Sequence, residues 1–112
     1  MRWYAFNGDA DGICSMVQWG LVHGIDGQTV TGVKRDIELL EKINPGPGDE
    51  IIVMDISLAR NHQRASQMVR DGIKITWFDH HLPGEKIEGV ETNINTVAEV
   101  CTARIIESYL GV

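Results

Sequence analysis

Basic charge is scarce in this chain of 112 residues: ten lysines and arginines stand against sixteen aspartates and glutamates, for a formal net charge of −6. That balance excludes a broad electrostatic surface for nucleic acid or anionic membrane, since both are bound through a cationic face. Cysteine is nearly missing. Cys14 and Cys101 lie far apart and outside any Cys-x-x-Cys or Cys/His zinc spacing, which excludes a disulfide scaffold and a zinc knuckle. The expectation is two reduced thiols, buried in helices, in a cytoplasmic protein. No apolar run approaches the roughly 18 residues of a membrane span. "MRWYAFNGD" turns polar too early for a signal peptide. Repeats and low-complexity segments are missing too, as are a P-loop and a dinucleotide glycine fingerprint. Where "NGDADG" would need amide donors for a phosphate, it carries acid. Trp3, Trp19 and Trp77 are not interleaved with basic residues, so a single-strand stacking platform has no support. With Met16, Met54 and Met68 they are assigned to the core or to a domain interface.

What is present describes one α/β domain. Hydrophobic residues make up 43% and charged residues 23%, enough apolar surface for a core and too ordinary a charge content for disorder. "RWYAF", "QTVTGV", "EIIVMDIS", "IKITWF" and the weaker "GVETNI" read as strands. Helical spacing separates them: Ile13, Met16, Val17, Gly20 and Leu21, stopped at Gly24; "DIELLEKI", capped by Asp36; and Leu58, His62, Ala65, Met68 and Val69, stopped near Gly72. A last helix is expected from a Thr96–Glu99 capping box through Val100, Cys101, Ile105 and Ile106. "EIIVMDIS" shows no alternation, as a strand covered on both faces should. Strands alternating with helices predict a three-layer, Rossmann-like fold with a mainly parallel sheet.

The acidic residues share one topological address. Asp9 and Asp11 follow the first strand, Asp55 ends "IIVMD", and Asp79 ends "ITWFD". Ligands of open parallel sheets bind at the carboxyl ends of the strands. Carboxylates gathered there repel one another unless a cation lies between them. His80 and His81 follow Asp79 directly and add imidazole, a ligand for manganese, zinc and iron. An aspartate at a strand end is ordinarily a helix cap or a turn residue, and Gly8 and Gly12 are ordinary turn-formers. It is the coincidence of three acidic sites with a histidine pair on one sheet edge that favours a metal site. Lys34, Arg35, Arg60, His62 and Arg64 follow strands and are read first as solvated charges. The alternative is an approach to a substrate phosphate for Lys34 and Arg35, and similarly for Arg60, His62 and Arg64, with Asn61 and His62 near enough in sequence to line the cleft mouth.

"NGDADGICS", "VMDIS" and "FDHH" resemble, in order and spacing, the first three motifs of the DHH phosphoesterases. That superfamily includes RecJ-type nucleases, oligoribonuclease/pAp phosphatases, family II pyrophosphatases and exopolyphosphatases. "FNGDADGICS" with "TGVKRDI" looks most like an exopolyphosphatase-related branch, and the resemblance runs over almost the whole chain. It implies a divalent-metal-dependent phosphoesterase domain that cleaves phosphodiester, phosphomonoester or phosphoanhydride bonds with a metal-activated water. The metal would be manganese, as two ions, with magnesium an alternative. Asp9 and Asp11 would each serve one ion, Asp55 would bridge both, and His80 would ligate the second. His81 would face the phosphate, joined by Arg35 as a substrate contact, and Asp79 would orient the histidine pair, so that His81 and Asp79 are the catalytic candidates. Many relatives carry His two residues before the first aspartate, or Asp in RecJ-type enzymes; Asn7 stands there in this chain. The substrate class implied is a phosphorylated small molecule, a short oligonucleotide or polyphosphate. Relatives continue to a further metal-binding aspartate and a separate substrate-binding domain. Residues 1–112 are therefore expected to be the amino-terminal, metal-binding part. The alternative is a non-catalytic metal- or nucleotide-binding fragment of the same fold.

Overall fold

The computed structural model describes residues 1–32, 39–81, 84–96 and 101–111. Five strands carry the fold: β1 (Arg2–Asn7), β2 (Gln28–Gly32), β3 (Glu50–Met54), β4 (Lys74–Asp79) and β5 (Val90–Ile94). Helices α1 (Ala10–His23), α2 (His62–Arg70) and α3 (Thr102–Leu110) accompany them, with 3-10 turns at Leu39–Lys42 and Ala59–Asn61. The sheet order is β2-β1-β3-β4-β5 and every pairing is parallel. The three-layer α/β expectation therefore holds. The chain moves outward from β1 to β2, then crosses back to β3 on the other side of β1. That reversal opens a crevice at the carboxyl ends of β1 and β3.

Strand β3 explains its unbroken apolar sequence by facing two cores at once. Ile51 and Val53 pack with Ile75, Trp77, Ala65 and Met68 on the α2 side. Ile52 and Met54 pack with Tyr4, Phe78, Met16, Trp19 and Ile106 on the side of α1 and α3. Trp77 is fully buried and its Nε1–H donates to the Ile56 carbonyl at 2.8 Å, so the indole leaves no donor unsatisfied. Truncating such a side chain costs about 3–5 kcal/mol.

Several local expectations change. Helix α1 has the predicted period but a different buried face: Gly12, Ser15, Met16 and Trp19 point inward. Ile13, Val17 and Leu21 are 49%, 54% and 78% exposed. Its rotation is set at its start, where Asp9 caps it and a Cβ on Gly12 would overlap the Asn7 carbonyl oxygen. Gly12 is thus a close-approach glycine rather than a turn-former. Both cysteines are exposed, Cys14 on α1 and Cys101 at the N-cap of α3, because neither falls on a buried face. Helix α3 begins at Thr102, and Thr96 lies outside it in irregular chain. Glu99 and Val100 lie outside the described residues, as do Lys34, Arg35 and the Asp36 cap. Asn61 is buried, binding the Ser57 carbonyl and the Leu40 amide, and Arg64 donates to the Leu40 and Ile43 carbonyls. Both therefore tie the Leu39–Lys42 turn to α2. Among the described residues no helix is long and apolar enough to cross a membrane.

Candidate metal centre

Strand register builds the floor of the site. Phe6 pairs with Met54 and Met54 with Phe78. The residues at or just past those ends, Asn7, Asp55 and Asp79, accordingly stand side by side. Asp55 leaves β3 with φ of +61°, the one positive value at a non-glycine among the described residues. Left-handed backbone costs an ordinary L-residue about 1–2 kcal/mol, and aspartate tolerates it better than most. Such conformations gather at functional sites.

Helix α1 contributes the two acids of "GDADG". Asp9 is its N-cap, accepting the Gly12 N–H at 2.9 Å through Oδ1. The ordinary role and the candidate role thus fall on the same residue. Asp11, in the first turn, reaches across to α3 and accepts the Thr102 N–H at 3.0 Å and the Ala103 N–H at 3.1 Å. It satisfies two amides that a helix start otherwise leaves open, which the Cys101 side chain does not do.

Burial makes this a demanding place for charge. Asp55 is 2% exposed and Asp79 fully buried. Desolvation first, and then the neighbouring Asp9 and Asp11, push the Asp55 carboxyl up to about 9. Desolvation also raises Asp79, and the adjacent His81 offsets part of that rise. His80 Nε2 lies 3.1 Å from Asp55 Oδ1 and 3.5 Å from Asp11 Oδ2. His81 Nδ1 lies 2.7 Å from Asp79 Oδ1. The histidines therefore divide their work: Asp79 holds His81, and Asp55 holds His80. Among the described residues, the basic side chains within 4.0 Å of the Asp11, Asp55 and Asp79 carboxyl groups are these two imidazoles.

The donor set fits a divalent cation. Ligand atoms of Asp55, Asp79, His80 and His81 all lie within 4.8 Å of one another. Asp79 Oδ2 and Asn7 Oδ1 are buried acceptors with no hydrogen-bond partner. Such atoms carry a desolvation cost that a cation relieves. Oxygen with imidazole and no thiolate suits manganese, magnesium or zinc. Of the residues singled out in the sequence, Asn7, Asp9, Asp11, Asp55, Asp79, His80 and His81 all come to this edge. Arg35 lies outside the described residues. Thr102 escaped sequence reading: its hydroxyl, fully buried, lies 3.2 Å from Asp55 Oδ1. Nothing in the local sequence links position 102 to positions 11 and 55.

The DHH family, N-terminal domain, matches residues 3–110. This chain belongs to that family. Comparison with curated proteins gives no match. Among solved structures, the DHH domain is similar to an uncharacterized protein from Helicobacter pylori G27, with a TM-score of 0.59 and 16% identity over 98% of this chain and 36% of that one. It is also similar to exonuclease RecJ bound to manganese, with a TM-score of 0.53 and 17% identity over 99% of this chain and 34% of that one. The chain thus spans about a third of the length of either structure, and at these identities the likeness is one of fold.

Proposed function

We propose that this chain is the metal-holding half of a phosphoesterase, and that Asp9, Asp11, Asp55 and His80 hold divalent ions, with Asn7 a neutral further contact. The observation that carries the reading is the packing of buried Asp55 and Asp79 with His80 and His81 at one sheet edge, within 4.8 Å. Two manganese ions are the preferred occupants, with magnesium the alternative; the manganese in the similar RecJ structure supports that choice. When bound, such ions make water a nucleophile at neutral pH and offset charge developing on a phosphoryl group.

The remaining roles belong to the chain itself. Asp79 accepts from His81 Nδ1, which leaves Nε2 to face the substrate, where the protonated ring would donate to a phosphate oxygen. Because the Asp79 side chain is buried, it holds the ring in one orientation rather than competing for solvent. Asp55, which contacts His80 and Thr102, would be the ligand common to both ions. The substrate is proposed to be a phosphorylated small molecule, a short oligonucleotide or polyphosphate, contacted by His81 and by Arg35. We assign selection among these to a separate carboxy-terminal domain, and the amino-terminal, metal-binding role to residues 1–112.

Positioning a phosphate in line can contribute about 7–11 kcal/mol to catalysis. An activated ester needs less of that help. Manganese-dependent hydrolysis of bis-p-nitrophenyl phosphate by the 112-residue chain, lost in Asp55→Asn, is the expected result. Natural substrates should turn over near background. Hydrolysis of the activated ester that persists in chelator or in Asp55→Asn would rule the reading out.

A further inference from the structure

We infer that Thr102 is a positioning residue of the metal centre, setting two candidate ligands at once: Asp11 through its backbone amide and Asp55 through its side chain. The inference rests on the metal reading above and deepens it. Thr102 N–H donates to Asp11 Oδ2 at 3.0 Å, and its Oγ1 lies 3.2 Å from Asp55 Oδ1. The next amide, Ala103, takes the other Asp11 oxygen at 3.1 Å. A carboxylate gripped through both oxygens by successive amides cannot rotate freely about its last bond. Each oxygen still keeps a lone pair for another partner. These amides stand at the start of a nine-residue helix, where backbone N–H groups lack partners within the helix.

The Asp55 contact acts differently. An ionised carboxylate only accepts, so the Thr102 hydroxyl must donate to it whenever Asp55 is charged. Thr102 is fully buried, which gives that hydroxyl little choice of partner and keeps water from replacing it. His80 approaches the same oxygen, at 3.1 Å. Thr102 thus holds one side of the carboxylate while an imidazole occupies another. Contacts of this outer kind orient ligands, and their loss typically weakens metal binding by about 10–100-fold. The sequence distance is 91 residues to Asp11 and 47 to Asp55, so α3 sets the geometry of the first turn of α1 and of the end of β3.

The test compares manganese affinity, by calorimetry with the metal alone, in wild type, Thr102→Val and Thr102→Ser, alongside metal-free melting curves. Valine keeps the shape and removes the hydroxyl; serine restores it. The expected result is about a tenfold or larger loss of affinity in Thr102→Val, recovered to near wild type in Thr102→Ser. A purely structural threonine predicts the opposite: a lowered melting temperature in Thr102→Val with manganese affinity unchanged, which would overturn the inference. Should Thr102→Val fail to fold, the wild-type chain decides. The amide resonances of Thr102 and Ala103 should shift on magnesium titration and saturate together, and unmoved amides overturn the inference. Wild type that binds neither ion defeats the metal reading itself, whereas wild-type binding with an indifferent Thr102→Val defeats only the role of Thr102.

Discussion

The two edges of the sheet are both rich in acid, and they handle it in opposite ways. At the amino-terminal edge, Arg2 meets Asp26 at 2.9 Å and Glu50 at 2.6 Å, Lys74 approaches Glu50 at 3.6 Å, and the terminal ammonium meets Asp49 at 3.0 Å. Tyr4 and Trp3 add hydrogen bonds to Asp26 and Asp49. These contacts hold Asp26 and Asp49 below the usual carboxylate range, led by the Tyr4 hydroxyl and the Gly46 amide respectively. At the carboxyl edge, Asp55 and Asp79 are buried and raised, with the imidazoles of His80 and His81 beside them. One edge carries its counter-charge as side chains of the same chain. The other sets buried acids beside imidazoles, and under the proposed function a bound cation would supply the counter-charge.

Removing the central acid should show the contrast most strongly. Asp55→Asn keeps a residue that tolerates positive φ and removes the carboxyl group that would ionise to hold a cation. Manganese affinity should fall by more than about a hundredfold, beyond the usual outer-contact range, while the metal-free melting temperature stays level or rises. Asp49→Asn at the opposite edge should leave manganese affinity alone and lower the melting temperature slightly. Calorimetry and thermal melts on the pair give both readings, and a common response at the two edges would erase the distinction.

Metal addition itself should be nearly as large an effect. A ligand at about 100 times its Kd stabilises by about 2.7 kcal/mol. In a domain of this size each kcal/mol moves the melting temperature by about 4–8 °C. Manganese should therefore raise it by about 10 °C or more, and chelator should reverse the change. An unchanged melting curve argues against binding at this edge.

Acidity separates the edges by sign. Asp55, raised to about 9, holds a proton in the fold that the unfolded chain releases near pH 4. Its contribution is fully present below pH 4 and is lost as pH climbs through 9, and Asp79 acts in the same direction. Asp26 and Asp49 are lowered, so their contribution is present above about pH 4 and is lost on acidification through their folded values. Melts of the metal-free chain should decline from pH 5 towards pH 9, and Asp55→Asn should flatten that slope. Metal uptake must expel the Asp55 proton, so calorimetric heats at pH 7 should vary with buffer ionisation enthalpy. Heats independent of buffer would contradict the buried, protonated Asp55.

The smallest effect is expected at Asn7, whose Oδ1 is buried without a partner. Asn7→His puts imidazole at the position where relatives carry it, and should tighten manganese by a few-fold in the same titration. Weaker binding would move Asn7 out of the ligand set.

Much of this was legible in the sequence because the signals are local. Periodicity and strand–helix alternation specify the sheet, and the ends of "RWYAF", "IIVMD" and "ITWFD" mark one edge from pattern alone. Helix faces were less legible. The apolar residues of α1 lie on more than one side, so periodicity cannot choose between Met16 with Trp19 and Ile13 with Val17 and Leu21. The cysteines were misplaced for the same reason, since residue type alone does not say which side of a helix is covered.

What the sequence determined by itself was chemistry in order along the chain: acids, a histidine pair, and the strand ends that deliver them to a common edge. Tertiary structure alone decided how those groups are partnered. Asp55 is shared between His80 and Thr102, Asp11 spans the start of α3, and Asp79 takes His81 rather than His80. Strand-end positions follow from pattern because the sheet repeats, residue by residue. A hydrogen bond across 91 residues follows only from how α1 and α3 pack on the same face, and no short-range preference encodes that.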